Sequence, residues 1–253
     1  MAIGGGYERD RFTYHFDNHS SFDTSTLVPH FFEQTYDADN VWLTGSARYH
    51  AGILWETTGG ITPQRTSTGD DFDTFFNTDG TVIVTGTTGG ISIWSWRAGQ
   101  RALLSSGGPV SFFTGYRLRV DRADWQLGHS TTTRNGRLVD AHDTTDREFT
   151  SSQMHEVFFG VRIESTGTGK WRTHLDAEGS PAVAGRLSVQ LPDKYPGQDL
   201  VFLSKGASAA ATLSVSYRSR VPITASIRGF HTWSYRSSNQ LKRNTIAFAV
   251  TVG

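Results

Sequence analysis

The chain has 253 residues, 24 Lys+Arg against 24 Asp+Glu, no Cys, and 31 Thr, 25 Ser and 27 Gly, which together make about a third of it. The absence of Cys excludes a disulfide framework, a thiolate metal site and a cysteine nucleophile. Zero net charge gives no overall pull toward nucleic acid or anionic membrane, and no apolar run approaches the ~20 residues of a membrane-spanning helix.

The start, Met1 to Arg11, has no apolar h-region and carries early acids, which reads as synthesis in the cytoplasm without a signal peptide unless a precursor was trimmed. Pro29 to Tyr36 reads as a short helix with Pro at its first position, and Gln153 to Glu156 as a further helical turn. Elsewhere period-two alternation dominates. Thr81–Thr85 and Ile91–Trp96 read as a hairpin about Gly86–Gly90, and Val110–Phe112 pairs with Tyr116–Val120. Strands follow at 157–163, 187–191, 200–203, 212–218, 223–227 and 246–252. Alternation of this kind fits antiparallel sheets with one dry and one wet face, Thr pointing outward. The expected fold is an antiparallel β-sandwich or jelly roll with at most one or two short helices.

Residues 1–253 are expected to form one β-rich domain, with the polar stretch near 128–152 as a long loop; the alternative is two domains, 1–127 and 153–253. Within that stretch Asn135-Gly136 can turn a hairpin. Thr-Thr-Gly-Gly-Ile occurs at both 57–61 and 87–91, which is one turn chemistry used twice rather than a repeat.

Motifs for catalysis are incomplete. There is no Gly-x-Ser-x-Gly elbow, Trp171 stands where a phosphate-binding loop would need Ser or Thr, and His155-Glu156 lacks its second His. Asp140, His142, Asp143 and Asp146, with His129, read as a solvated loop, so the chain is expected to be non-enzymatic. Asp71 and Asp73, in an acid-rich stretch with Asn77 and Asp79, are candidate ligands for calcium, the one cofactor the sequence allows. The alternative is a surface loop of unpaired acids.

Aromatic placement gives the other candidate site. Trp94 and Trp96 lie two apart on one strand and share a face, as do Trp233 and Tyr235. Core packing, a subunit interface and a glycan-stacking platform all remain open for them. The strand-dominated texture, the Gly-rich start and the terminal Asn244–Gly253 strand together resemble tailed-phage and phage-like-particle proteins.

That resemblance implies a virion-located structural or attachment component (fibre, spike, tail tip or head decoration). It would form a homo-oligomer, a trimer or ring, with other virion proteins, and would bind host surface polysaccharide. It implies no nucleic-acid partner and no membrane insertion. The competing expectation is a stand-alone carbohydrate-binding or glycan-cleaving β-sandwich.

Overall fold

The computed structural model describes residues 1–17, 31–77, 79–105, 108–166, 169–193, 196–197, 199–235 and 239–253. Among these, every regular element is a strand: β1 (Ala2–Asp17), β2 (Phe31–Ala51), β3 (Ile53–Phe76), β4 (Val82–Ser105), β5 (Val110–Arg134), β6 (Arg137–Asp143), β7 (Arg147–Glu164), β8 (Trp171–Gln190), β9 (Asp199–Tyr217), β10 (Ile223–Ser234) and β11 (Gln240–Val252). All neighbours are antiparallel, in the order β4-β3-β2-β1-β11-β10-β9-β8-β7-β5-β6, and β4 also pairs with β5. That last pairing closes ten strands into a barrel, with β6 left as an arm on the far end of β5. A sandwich keeps open edges; here the β4–β5 ladder runs from Ile83/Arg134 to Ser105/Ser111 and abolishes them.

Both chain termini and the turns after β2, β4, β7 and β9 lie at one end, the near end. The connections after β1, β3, β8 and β10, together with the β6 arm, lie at the far end. Following strand partners from Ile3 through Gly45, Gly59, Ala98, Leu118, His155, Ala184 and Lys205, and continuing that register across β10 and β11, returns to β1 at His15, a stagger of twelve residues. Such a stagger tilts the strands by about 40° to the axis.

Several expectations are corrected. Phe31–Tyr36 is the start of β2, not a helix, while Pro29 and His30 lie outside the described residues. Gln153–Glu156 is mid-β7. Gly86–Gly90 makes no turn, because β4 runs straight through it, and β5 likewise joins Val110–Phe112 to Tyr116–Val120 in one strand. The reason is steric. Gly86 and Gly89 serve close approach: a Cβ on Gly86 would sit 2.9 Å from the Phe72 ring, and one on Gly89 would collide with the Gln126 carbonyl. True turns carry positive φ, at Gly52, Gly80, Asn135-Gly136 and Gly197. The polar stretch 128–152 is the far half of β5, the β6 arm and the start of β7.

On the inner wall, Phe113 on β5 faces Gly160 on β7, and Gly115 on β5 faces Phe158 on β7. Each ring fills the space that its opposite glycine leaves empty, and the two rings meet edge to face at 6.2 Å. Gly160→Val should therefore force a ring out of its rotamer and cost about 1–3 kcal/mol. Gly90→Ala, where a Cβ meets nothing within 4 Å, should stay within about 0.5 kcal/mol of the parent. Urea unfolding midpoints of the two variants check this; equal midpoints would refute the glycine–ring pairing as a packing constraint.

Candidate functional site

The barrel has two halves of opposite polarity. In the far half the inner wall is mostly apolar: Phe12, Tyr14, Phe32, Tyr36, Ile91, Ile93, Trp125, Leu187, Val189 and Phe202 pack into one buried cluster, beside which Gln34 donates to Glu148 and Asp71 also faces in. The outer wall there carries Arg9, Arg11, Glu33, Asp37, Asp39, Arg122, Arg186, Lys205 and Lys242. Burial raises the Tyr14 and Tyr36 phenols above their ordinary pKa. This half reads like a water-soluble β-protein.

In the near half the pattern inverts. The outer wall shows Ile3, Tyr7, Val41, Leu43, Ile61, Leu104, Phe112, Tyr116, Val157, Phe159, Leu175, Leu213, Ile223, Ile227, Ile246, Phe248, Val250 and Val252, all exposed. Every one of the ten barrel strands contributes, and between the near-end turns and the first outward charges (Arg9, Asp39, Arg122) the outward positions hold no charged side chain. About nine residues per strand, at ~3.3 Å each and tilted by about 40°, make this band ~23 Å tall. Aromatic residues mark its rims. Tyr49 stacks on Trp55 and Trp171 meets Tyr217 at the near rim, with centroids 6.5 and 4.9 Å apart. Trp94 and Trp233 stand at the far rim.

Inside the band the lumen is filled with charge. Arg97, Arg101, Arg117, Arg119, Arg162, Arg228 and Arg243 meet Glu8, Asp10, Glu56, Asp121, Glu156, Asp176 and Glu178, seven cations against seven anions. Arg119 on β5 uses its whole fork: Nη1 donates to Glu8 at 2.7 Å, Nη2 to Asp10 at 2.7 Å and Nε to Asp121 at 3.1 Å. Arg243 on β11 donates to Asp121 at 2.6 Å, and Ser95 donates to the same carboxylate at 2.6 Å. Nearer the turns, Arg162 grips Asp176 through two bonds of 2.7 and 2.8 Å, and Arg101 bridges Asp176 to Glu56.

The guanidinium planes also stack on inward rings. Arg97 lies 4.0 Å and Arg119 5.3 Å from the Trp42 ring centroid, and Arg117 lies 4.5 Å from that of Phe158. Planar, bidentate and stacking contacts of this kind need Arg rather than Lys. They account for much of the excess of 20 Arg over 4 Lys.

The expected site residues fall in three separate places. Trp94 and Trp96 point outward on β4, Trp94 with the Arg122 guanidinium 5.6 Å from its ring centroid. Trp233 and Tyr235 point outward at and just beyond the end of β10, five strands away in either direction and so across the barrel. Asp71 and Asp73 face inward on the far half of β3, with Asp71 in register with Gln34 and Thr87. Among the described residues no group of three or more His, Asp or Glu side chains is placed to hold a metal ion. The His–carboxylate pairs His15–Glu33, His129–Asp143 and His142–Asp140 lie on the outside or on the β6 arm. Sequence reasoning missed the luminal network, although its signal is visible as Arg and acids two apart, in Glu8/Asp10 and in Arg117/Arg119/Asp121.

No protein-family model matches the chain, and no curated protein is similar to it in sequence. Among solved structures it resembles the outer membrane protease OmpT of Escherichia coli, with a TM-score of 0.65, 8% identity, and coverage of 99% of this chain and 96% of that one. The transport unit of the autotransporter AIDA-I of Escherichia coli matches at a TM-score of 0.36 and 9% identity, covering 98% and 89% of the two chains. The β-domain of the Bordetella autotransporter BrkA matches at 0.37 and 11%, covering 97% and 98%. The shared closed barrel overturns the sandwich expectation. With it fall the tailed-phage resemblance, the virion location and partners, the attachment and carbohydrate-binding functions, and the exclusion of membrane insertion. At 8% identity the likeness shows the fold alone and carries no statement about catalysis.

Proposed function

We propose that this chain is an integral barrel of the outer-membrane kind, seated in a bilayer by its near half and holding its far half in water as a rigid collar. The observation that carries this is the uncharged apolar band on all ten strands. Its ~23 Å height is close to the ~25 Å band of transmembrane barrels, and the aromatic side chains at both rims suit the two membrane–water interfaces. In water such a band would be an aggregation surface far larger than any ordinary exposed patch.

A second observation favours a closed barrel over an open pore. The luminal side chains at the level of Arg119 are almost wholly withdrawn from solvent, with Glu8, Asp10, Asp121 and Arg243 at 1–3% exposure. Long side chains from β1, β4, β5 and β11 meet across the lumen there. Above them the apolar cluster and the buried Gln34, Asp71 and Glu148 occupy the far half. The barrel then acts as an anchor and scaffold, and its accessible chemistry lies on the collar and the far-end connections.

Three outcomes are expected. The refolded chain should float with phospholipid vesicles, and Ile227→Arg, near the middle of the band, should weaken insertion by about 2–4 kcal/mol, whereas Thr13→Arg on the collar should not. A chain that stays in the aqueous fraction sinks the membrane reading. In planar bilayers the protein should add no conductance steps; a stable open level at modest voltage would refute closure. Arg119→Ala takes one cation from three buried carboxylates, leaving Arg97 to Glu8 and Arg243 alone to share Asp10 and Asp121, and should lower unfolding free energy by about 3–5 kcal/mol, read from denaturant midpoints in micelles.

A further inference from the structure

On the outer wall, directly beyond the far rim of the apolar band, lies a hollow of about 490 Å³ over β4, β5, β7 and β8. Its floor follows the strand register: Trp94 pairs with Arg122, Arg122 with Ser151, and Ser151 with Ser188. Ser92, Asp124, Phe149 and Gln190 form the next row outward.

The geometry points to this hollow as a binding site for the phosphate of an anionic lipid headgroup drawn from the surrounding leaflet. The inference rests on the membrane reading above, and four features support it. First, the height is right, because Trp94 belongs to the aromatic rim and the hollow opens immediately on its polar side. Second, Arg122 is exposed and has no carboxylate partner among the described residues, while its neighbour Asp124 is already held by Arg147 at 2.7 Å. Third, the guanidinium lies 5.6 Å from the Trp94 ring centroid, which limits its freedom before a ligand arrives. Fourth, the Ser151 and Ser188 hydroxyls stand next along the same row, so one phosphate can take a charge-assisted bond from Arg122 and neutral bonds from the two hydroxyls. Arg186, exposed one row nearer the band in register with Gln153, adds a second positive charge beside the mouth.

The test uses the purified full chain in micelles with equal amounts of phosphatidylglycerol and phosphatidylcholine, and counts retained lipids by native mass spectrometry. The parent should keep phosphatidylglycerol in preference to phosphatidylcholine. Arg122→Gln should lower that retention by about tenfold, the equivalent of one lost charge-assisted bond. Arg9→Gln, an outward cation at a similar level on β1, should leave it unchanged. Equal retention of the two lipids, or no effect of Arg122→Gln, overturns the proposal. Displacement of the lipid by millimolar inorganic phosphate also overturns it, since the hollow would then be a free-anion site. Vesicle flotation separates the two layers of inference. A chain that floats but shows no headgroup preference refutes only this site, and a chain that does not float refutes the membrane reading together with it.

Discussion

The three-way grip of Arg119 on Glu8, Asp10 and Asp121 is the contact on which the rest of this barrel leans. A ten-stranded ring is wider than an eight-stranded one, whose lumen side chains just fill. Leu or Val cannot reach the axis from that wall; Arg and Glu can. Filling such a lumen with charge is tolerable only when each charge is paired as it is withdrawn from water, since a stranded buried carboxylate is strongly destabilising. Seven arginines against seven carboxylates meet that condition, and Ser95, Ser208 and Thr245 donate further bonds to the Asp121, Glu156 and Asp10 carboxylates beside their guanidinium partners.

The same network sets the orientation of the near half. Once alternate positions are committed to luminal Arg, Glu, Ser and Thr, period-two geometry sends the intervening residues outward. On β11, Arg243, Thr245, Ala247 and Ala249 face in, so Ile246, Phe248 and Val250 must face out. Beyond Arg9, Asp39 and Arg122 the assignment reverses: Phe12, Tyr14 and Trp125 face in and charges face out. β1 is continuous through the reversal, whereas the ladders on both sides of β3 shift register there, between Tyr36 and Leu43 and between Thr62 and Arg65. Along β1 the change lies in residue choice alone.

This explains what could be read from the sequence and what could not. The strand content and the alternation along β9, β10 and β11 were plain. Alternation states that two faces differ; it does not say which face meets which medium. A reading with Thr and Ser outward puts Thr212, Ser214 and Ser216 on the wet outer face, yet they line the lumen while Leu213 and Val215 face outward. A mean hydropathy of −0.39 concealed the band, because its apolar residues are spread singly among Ser, Thr, Arg and Glu rather than gathered in runs. Long strands were also cut short wherever Gly-Gly suggested a turn, although Gly60 and Gly89 sit where a neighbouring chain segment crowds the backbone. The two-residue spacing of Trp94 with Trp96 and of Trp233 with Tyr235 puts each pair on one face without saying which, and that face is the outer one. Their common level around the barrel depends on strand tilt and stagger, which no local pattern encodes.

Stagger in turn decides where chemistry can gather on the outer wall. Partners climb steadily from strand to strand, so a row of register partners runs as a slanting stripe and crosses the rim of the apolar band once. Trp94, Arg122, Ser151 and Ser188 form such a stripe. Its Trp end lies at the edge of the apolar band, and its Ser end climbs into the polar collar. A mixed apolar, cationic and hydroxyl surface therefore arises at the rim without any insertion or loop. Residues 28 to 94 positions apart in the chain are brought into one row by the ladder alone.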